Sequence, residues 1–365
     1  MKGMRLGREK TGSSAGHKPK KPDKLMRGQK KPGPSVQAAV DLDALAEAAP
    51  YFVDARCEFA REASSLEEAL ERMGGPSPLS RMLGVGVTLF MGESTPALQN
   101  ALLDDAEGSP FWAVVGSLPP RRAAKLTVEE HLQLLNAAKG RAGVAAVFTG
   151  LEYYRKPPYG ETEPCSPPEE QQAAMRQACA FAVDCALPLV VALKPEAREE
   201  EACSAAIRDA VAVLDTCVPA TWRIYFCSWG GPPTAALKLL KKYSGAVLGF
   251  NGALSFRNAS HLRELAFDVA LDRFVLESDA PNNPPSEAVF RHSPWTVLQL
   301  ADLVATNRKT SRAVVLQASV DNAAKFFGRE VKVPVAAAAV AVAVAANDDD
   351  GDDDGDDEAL KQFLQ

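Results

Sequence analysis

The residues able to do chemistry gather in a few short stretches, each just after an apolar run. They are Asp54-Ala55-Arg56-Cys57-Glu58, Gly150-Leu151-Glu152-Tyr153-Tyr154-Arg155, Leu193-Lys194, Cys227-Ser228-Trp229 and Leu276-Glu277-Ser278-Asp279-Ala280-Pro281. Carboxylates such as Glu58, Glu152 and Asp279 can hold Mg²⁺ together with waters. Glu152, Glu277 and Asp279 also offer the carboxylate pairing of a glycosidase. Imidazole is scarce, with only His17, His131, His261 and His292 in the whole chain. His131 and His261 fall inside helical patterns and read as surface or core-edge residues. His292 precedes Ser293-Pro294-Trp295 after the last strand signal and is the one placed to face a site. Seven cysteines, odd in number and without CxxC spacing, argue against a disulfide framework or a zinc finger and for buried, reduced thiols. Cys57 and Cys227 stand near strand ends, but neither has a His partner for nucleophilic catalysis. Tyr153 and Tyr154 could stack on a base; packing on the fold is the preferred reading.

These stretches need elements to position them. β-branched, apolar runs recur at Tyr51–Asp54, Leu83–Phe90, Phe111–Val115, Val144–Phe148, Leu187–Ala192, Trp222–Phe226, Ala246–Phe250 and Arg273–Leu276, which makes eight candidate strands. Helical patterns lie between them at 65–73, 127–140, 167–186, 199–215, 234–243, 258–270 and 294–306. Thr127 with Glu130 has capping-box spacing, and Gly140 is a stop signal. Regular strand–helix alternation predicts a parallel sheet covered by helices, and eight units over residues 50–330 match an α/β fold of the (β/α)8 TIM barrel type. An open doubly wound sheet has no glycine-rich phosphate loop here to support it. In such a barrel, chemistry belongs at the C-terminal ends of the strands.

The succession of strand ends resembles the TatD family of metal-dependent deoxyribonucleases, barrels of the amidohydrolase-like, metal-dependent hydrolase type. The resemblance covers Tyr51 to Gly328. It rests on Gly150-Leu-Glu-Tyr-Tyr-Arg155 against the family's Gly-Leu-Asp-Tyr-Tyr-Arg, and on Leu276-Glu-Ser-Asp-Ala-Pro281 against Glu-Thr-Asp-Ala-Pro. Leu187-Pro188 and the closing Asn322-Ala-Ala-Lys-Phe-Phe-Gly328 add to it. The family binds its metals through an opening Asp-x-His-x-His, a bridging Glu and further histidines. On that alignment Arg56 and Glu58 stand for the opening imidazoles, Phe148 for the bridging Glu, Leu118 for the His before Pro, Ala192 for the strand-five His and Phe226 for the strand-six His. Asp279 and, conservatively, Glu152 remain as relics of the catalytic set.

A metal site needs imidazole and carboxylate donors. Ala192 and Phe226 donate nothing, Phe148 fills space, and Arg56 is a permanent cation that repels a second one. The expectation is therefore a TatD-like pseudoenzyme, with no metal and no cofactor, whose degenerate pocket is lined by Arg56, Glu58, Phe148, Ala192, Phe226 and Leu118. Two placements of Arg56 stay open: pairing with Asp279 and also Glu58 or Glu152, or pointing to solvent while Asp279 caps a helix. The rival is a divergent hydrolase that binds weak Mg²⁺ or Mn²⁺ through Glu58, Glu152 and Asp279. A third reading is a small-molecule binder using an apolar barrel mouth.

The formal net charge of −6 over 365 residues hides a split. Residues 1–35 carry eleven Lys/Arg against Glu9 and Asp23, a net +9, and read as a disordered basic head. Residues 347–365 carry nine acids against Lys361, a net −8, and read as an acidic tail. An Ala/Val-rich linker, 331–346, joins the tail to the barrel. The head fits contact with nucleic acid or an acidic protein surface, within a larger and plausibly ribonucleoprotein assembly. It has no apolar signal segment, and no run in the chain is long enough for a membrane span. The expected localisation is intracellular: mitochondrial, nuclear or cytoplasmic.

Overall fold

The computed structural model describes residues 51–59, 63–72, 82–104, 109–153, 164–194, 205–286 and 292–331. The basic head, most of the linker, the acidic tail, His17, Tyr154, Arg155 and Cys203 lie outside the described residues. Eight strands form one sheet in sequential order: β1 Phe52–Cys57, β2 Met82–Phe90, β3 Phe111–Gly116, β4 Val144–Glu152, β5 Leu189–Lys194, β6 Ile224–Cys227, β7 Ala246–Phe250 and β8 Phe274–Leu276. Every successive pair is parallel. Nine helices are described: α1 Leu66–Arg72, α2 Pro96–Asp104, α3 Val128–Asn136, α4 Pro168–Asp184, α5 Ala205–Cys217, α6 Pro233–Lys242, α7 Ser260–Asp268, α8 Thr296–Arg308 and α9 Arg312–Phe327. This is a nearly closed (β/α)8 barrel. As the spacing predicts, Thr127 and Glu130 form a reciprocal capping box at the start of α3.

Two apolar layers hold the sheet. One lies between the strands and the helices and includes Leu89, Leu103, Val191, Phe226 and Leu248. The other fills the barrel, with Phe90, Trp112, Phe148, Ala192, Tyr225 and Cys227 among its members. The side chains of a strand alternate between the two.

Helices α2 and α9 are absent from the sequence prediction, and α9 does more than cover the sheet. β8 ends the hydrogen-bonded strand order, so its backbone groups away from β7 need other partners. Ser319 Oγ accepts from Leu276 N at 2.8 Å, and Asn322 Nδ2 donates to the carbonyls of Phe274 and Leu271 at 2.7 Å each. Next to them Phe327 packs on Trp112, with ring centroids 5.1 Å apart, and Phe326 packs on Tyr225 at 5.6 Å. Helix α9 thus satisfies the edge of β8 and helps fill the barrel. Its chain then leaves through Gly328, whose φ of +63° suits glycine at a helix C-terminus.

Beyond β8 the barrel closes directly. Asp279 N donates to Arg56 O at 3.0 Å, and Glu58 N donates to Ala280 O at 2.6 Å. Asp54 joins the same seam from below its neighbours in sequence: it accepts from Ser278 N at 2.8 Å, Ser278 Oγ at 2.6 Å and Arg56 N at 3.2 Å. Four of the charged strand-end residues, Asp54, Arg56, Glu58 and Asp279, therefore sit where the first and last strands meet.

Candidate functional site: a charge-paired barrel mouth

Several strands run further than their apolar runs predict. β1 extends to Cys57, β4 to Glu152 and β5 to Lys194. All three of Arg56, Glu152 and Lys194 are thus strand residues; Glu152 and Lys194 pair in register, while Arg56 stands in an irregular stretch of β1 between Asp54 and Cys57.

Arg56 is 3% exposed. Its Nη1 pairs with Asp279 Oδ1 and donates to Ser228 Oγ at 3.0 Å, while its Nη2 pairs with Glu58 Oε1. The guanidinium also lies over the Phe148 ring, 5.3 Å from its centroid, a cation–π contact. Each carboxylate has further donors. Asp279 Oδ2 accepts from Asn283 Nδ2 at 2.7 Å and Asn251 Nδ2 at 3.3 Å, and Glu58 Oε2 accepts from Asn282 Nδ2 at 2.9 Å. Burial opposes ionisation of Asp279, but Arg56 and then Lys194 outweigh it and hold the carboxyl below its ordinary range. For Arg56 the same balance favours the charged form: burial is overcome chiefly by Asp279.

A second cluster adjoins the first. Glu152 and Lys194 face each other across the β4–β5 pair, and Lys194 Nζ lies 3.1 Å from Glu152 Oε1. Arg121 Nη1 is 3.8 Å from Glu152 Oε2. Burial works against the Glu152 anion, and Lys194 with Arg121 more than offset it, so its pKa is lowered. Lys194 is held charged chiefly by Glu152. From behind, Gln171 on α4 fixes the Glu152 backbone, accepting from its N at 2.7 Å and donating to its O at 2.9 Å.

Deeper in the barrel, Glu277 accepts from the Tyr225 hydroxyl and from Ser228 N. Burial dominates there and raises Glu277 to about 8, with Arg56 opposing. Burial likewise raises Asp54 to about 7 against its bonds from Ser278. These two carboxyls are neutral or nearly so under conditions where Asp279 and Glu152 are ionised. Gly249 makes the space for Glu277: a Cβ there would lie 2.6 Å from both Glu277 Oε1 and the Tyr225 ring.

Between the two clusters the mouth leaves about 30 Å³ open to the centre of a water molecule, lined by Glu58, Phe90, Pro119, Arg121, Phe148, Glu152, Lys194 and Asn282. That is room for roughly two waters. Among the described residues this space is lined by polar and charged groups as well as Phe90 and Phe148, and is far smaller than a small-molecule pocket of roughly 300 Å³ or more. The described lining does not supply the apolar mouth of the third reading.

The structure sorts the sequence candidates. Arg56, Glu58, Phe148, Glu152 and Asp279 come together at the mouth. Ala192 is buried beside it in the barrel layer, in register with Gly150 and Cys227. Phe226 does not face the barrel. It pairs in register with Val191 and Leu248, lies in the outer layer and packs on Trp229 and Tyr243. The inward residue at the end of β6 is Cys227: Tyr225 and Cys227 lie in the barrel layer, while Ile224 and Phe226 lie in the outer one. Leu118 is half-buried, and it is Pro119 that lines the cavity. His131 is buried between Ser117 Oγ at 2.6 Å and Ala123 O at 2.9 Å, a structural role. His292 contacts Thr296 and Asn282 O, so it braces the β8 loop. Tyr153 donates to Asp209 Oδ2 at 2.9 Å and packs on the barrel. Arg121, Tyr225, Asn282 and Asn283 have no signal in the sequence; each is defined by what it touches.

The residues present do not fit a divalent ion. Asp279 and Glu58 share one guanidinium, Glu152 faces Lys194 and Arg121, and the neighbouring inward groups are a phenyl ring, a methyl and a thiol. Burial pushes that thiol, Cys227, up, so it stays protonated. Among the described residues no group of three or more His, Cys, Asp or Glu side chains is arranged to hold a metal.

Comparison with known proteins places this arrangement in a lineage. The family of TatD-related DNases matches residues 54–328. The human 3'-5' RNA nuclease TATDN2 is 24% identical over 222 residues, 59% of this chain and 26% of that protein, so the match spans about a quarter of the relative's length. The uncharacterized metal-dependent hydrolase YabD of Bacillus subtilis is 23% identical over 266 residues, 72% of this chain and 93% of YabD. The crystal structure of YjjV, a TatD homolog from Escherichia coli K12, superposes with a TM-score of 0.57 at 19% identity, covering 78% of this chain and 98% of that one. With the family's signature running from the seam residue Asp54 to the α9 cap at Gly328, this chain belongs to the TatD-related DNase family.

Proposed function

We propose that this TatD-family barrel has exchanged its metal centre for built-in cations and works by binding rather than by metal-dependent hydrolysis. The observation that carries the reading is the Arg56 guanidinium, buried between Asp279 and Glu58 and backed by Phe148. By the sequence resemblance, these positions correspond to the family's metal ligands. A fixed cation there satisfies the remaining carboxylates and leaves no open coordination position for an activated water.

Binding is then assigned to the charged extensions. The basic head, with its net +9, suits a polyanion, and nucleic acid is the partner in keeping with the lineage. A relative named as an RNA nuclease supports that lineage without fixing this chain's substrate. No described helix is long and apolar enough to cross a membrane.

The test is metal content and nuclease activity of the purified full chain, measured on DNA and RNA in excess Mg²⁺ or Mn²⁺. The expected result is far less than one metal per chain and no cleavage that depends on Asp279. Stoichiometric metal with cleavage abolished by Asp279→Ala would establish the rival hydrolase using Glu58, Glu152 and Asp279. Binding to single-stranded RNA or DNA should weaken steeply with salt and depend on residues 1–35. Unchanged binding after their removal would reassign the head.

A further inference from the structure

The two ion-pair clusters at the mouth leave one buried polar atom over. Glu152 is 4% exposed, and its Oε1 is held by Lys194 Nζ at 3.1 Å. Its Oε2 accepts no hydrogen bond among the described residues, since Arg121 Nη1 stands 3.8 Å away, beyond hydrogen-bond length. A buried carboxylate oxygen calls for a donor. Glu152 lines the small mouth cavity with Lys194, Asn282 and the rings of Phe90 and Phe148. That cavity reaches solvent where Asn282 is exposed and the Lys194 side chain is 35% exposed. A whole small molecule does not fit the cavity, but one functional group does.

The surrounding charges decide which group. Arg56, Arg121 and Lys194 stand against Glu58, Glu152 and Asp279, three cations against three anions. An entering phosphate, carboxylate or ammonium would break that balance in a largely buried site, and would lose its hydration without gaining a counter-ion. A neutral group avoids both costs. It has to donate to Glu152 Oε2. It can also accept from Lys194, whose ammonium has three N–H donors and Glu152 Oε1 as its ion-pair partner. A carboxamide offers an N–H and a C=O side by side, and it is about the size of the two waters the cavity can take.

We propose that the barrel mouth is a binding site for a neutral carboxamide group, which donates its N–H to Glu152 Oε2 and accepts at its C=O from Lys194 Nζ. The rest of the ligand stays outside the mouth. This rests on the reading that Arg56, rather than a metal ion, fills the space between Asp279 and Glu58. It also gives the mouth a selectivity of its own: a polyanion held by the basic head places no phosphate there.

The experiment takes the full chain, with its metal content measured, and adds acetamide, acetate or methylammonium. Each probe carries one methyl group, and they differ in charge. Binding is followed by saturation-transfer NMR on the methyl signals at pH 6, where the deeper Asp54 and Glu277 carboxyls mostly hold their protons. Acetamide should bind at least about tenfold more tightly than either ion. Glu152→Gln leaves one cation in excess, so the preference should pass to acetate. Lys194→Met leaves one anion in excess, so the preference should pass to methylammonium. Tighter binding of a glutamine side chain in a short neutral peptide than of acetamide would assign the group to a partner protein. No such gain would assign it to a free amide, and the site stands in both cases. Metal-free wild type that ranks the three probes alike overturns this proposal alone, as does either variant keeping the wild-type order. Stoichiometric metal overturns it together with the reading beneath it.

Discussion

Replacing Arg56 with Ala removes the one group shared by Asp279 and Glu58, which are 3% and 8% exposed. The remaining donors to them are the amides of Asn251, Asn282 and Asn283, which carry no charge. Lys194 still acts on Asp279, but at longer range than its own partner Glu152. At an effective dielectric near 20, a close ion pair is worth roughly 4 kcal/mol before desolvation is counted. Removing one side of a buried pair costs about 3–5 kcal/mol, because the other charge stays behind without compensation. The stacked Phe148 ring loses a further ~1 kcal/mol contact. Urea unfolding followed by tryptophan fluorescence gives the number, since Trp295 packs on Phe52 of β1, with centroids 5.2 Å apart. The loss has a signature that simple truncation lacks. It should be smaller at pH 5 than at pH 8, because a stranded Asp279 can be neutralised by a proton. The double variant Arg56→Met, Asp279→Asn should recover much of the loss. An Arg56→Ala protein within about 0.5 kcal/mol of wild type, or a loss independent of pH, would refute the electrostatic account.

Raised carboxyl values set a second trend. Glu277 at about 8 and Asp54 at about 7 bind protons in the folded state that the unfolded chain has released, so stability falls as pH rises from about 4.5 towards 8. Glu277→Gln should flatten that slope and stabilise the protein at pH 8 by on the order of 1 kcal/mol or more, measured as a shift of the urea midpoint. Asp279 and Glu152, held low, contribute in the opposite sense: their share is present at neutral pH and is lost only in acid, below the ordinary carboxylate range. Asp54→Asn can keep the bonds with Ser278, so it should cost little near pH 6, whereas Asp54→Ala should cost about 2–4 kcal/mol. Gly249→Ala must displace Glu277 or Tyr225 and should lower stability by about 1–3 kcal/mol; an unchanged melting curve would contradict the contact.

The barrel was legible because eight apolar runs alternate with helical patterns, and because family motifs stand at the ends of β4 and β8. The register at the end of β6 was not. Trp222 and Phe226 are both apolar and aromatic, so a run beginning at either side looks alike, and a slip of one residue sends a side chain to the other face. Only pairing with Val191 and Leu248 shows that Phe226 points outward and Cys227 inward. Helix α9 was missed because its valines and its lone Ser319 and Asn322 read weakly as helix. Their purpose, holding the free edge of β8, appears only once the strands are arranged. Lys194 is visible in the sequence as a strand-end residue but its ion pair is not, and Arg121 gives no signal at all, for a related reason. A cation at a strand end reads as solvated until the buried carboxylate opposite is known.

The location of the charged residues gives them a structural task at the barrel closure. Asp54, Arg56, Glu58 and Asp279 span the junction of the first and last strands, where no helix or ladder partner can stand in for them. The backbone bonds from Asp279 N to Arg56 O and from Glu58 N to Ala280 O close the barrel beside these side chains. Without a cation between them, Asp279 and Glu58 would repel each other across the closure and tend to open it. An arginine at position 56 lies on β1 and binds the β8 loop through Asp279, so it supplies the attraction from within the chain. The described carboxylates at the mouth therefore have a structural task of their own: they hold the barrel shut. Selection on that closure alone is enough to preserve them, whatever chemistry the mouth performs.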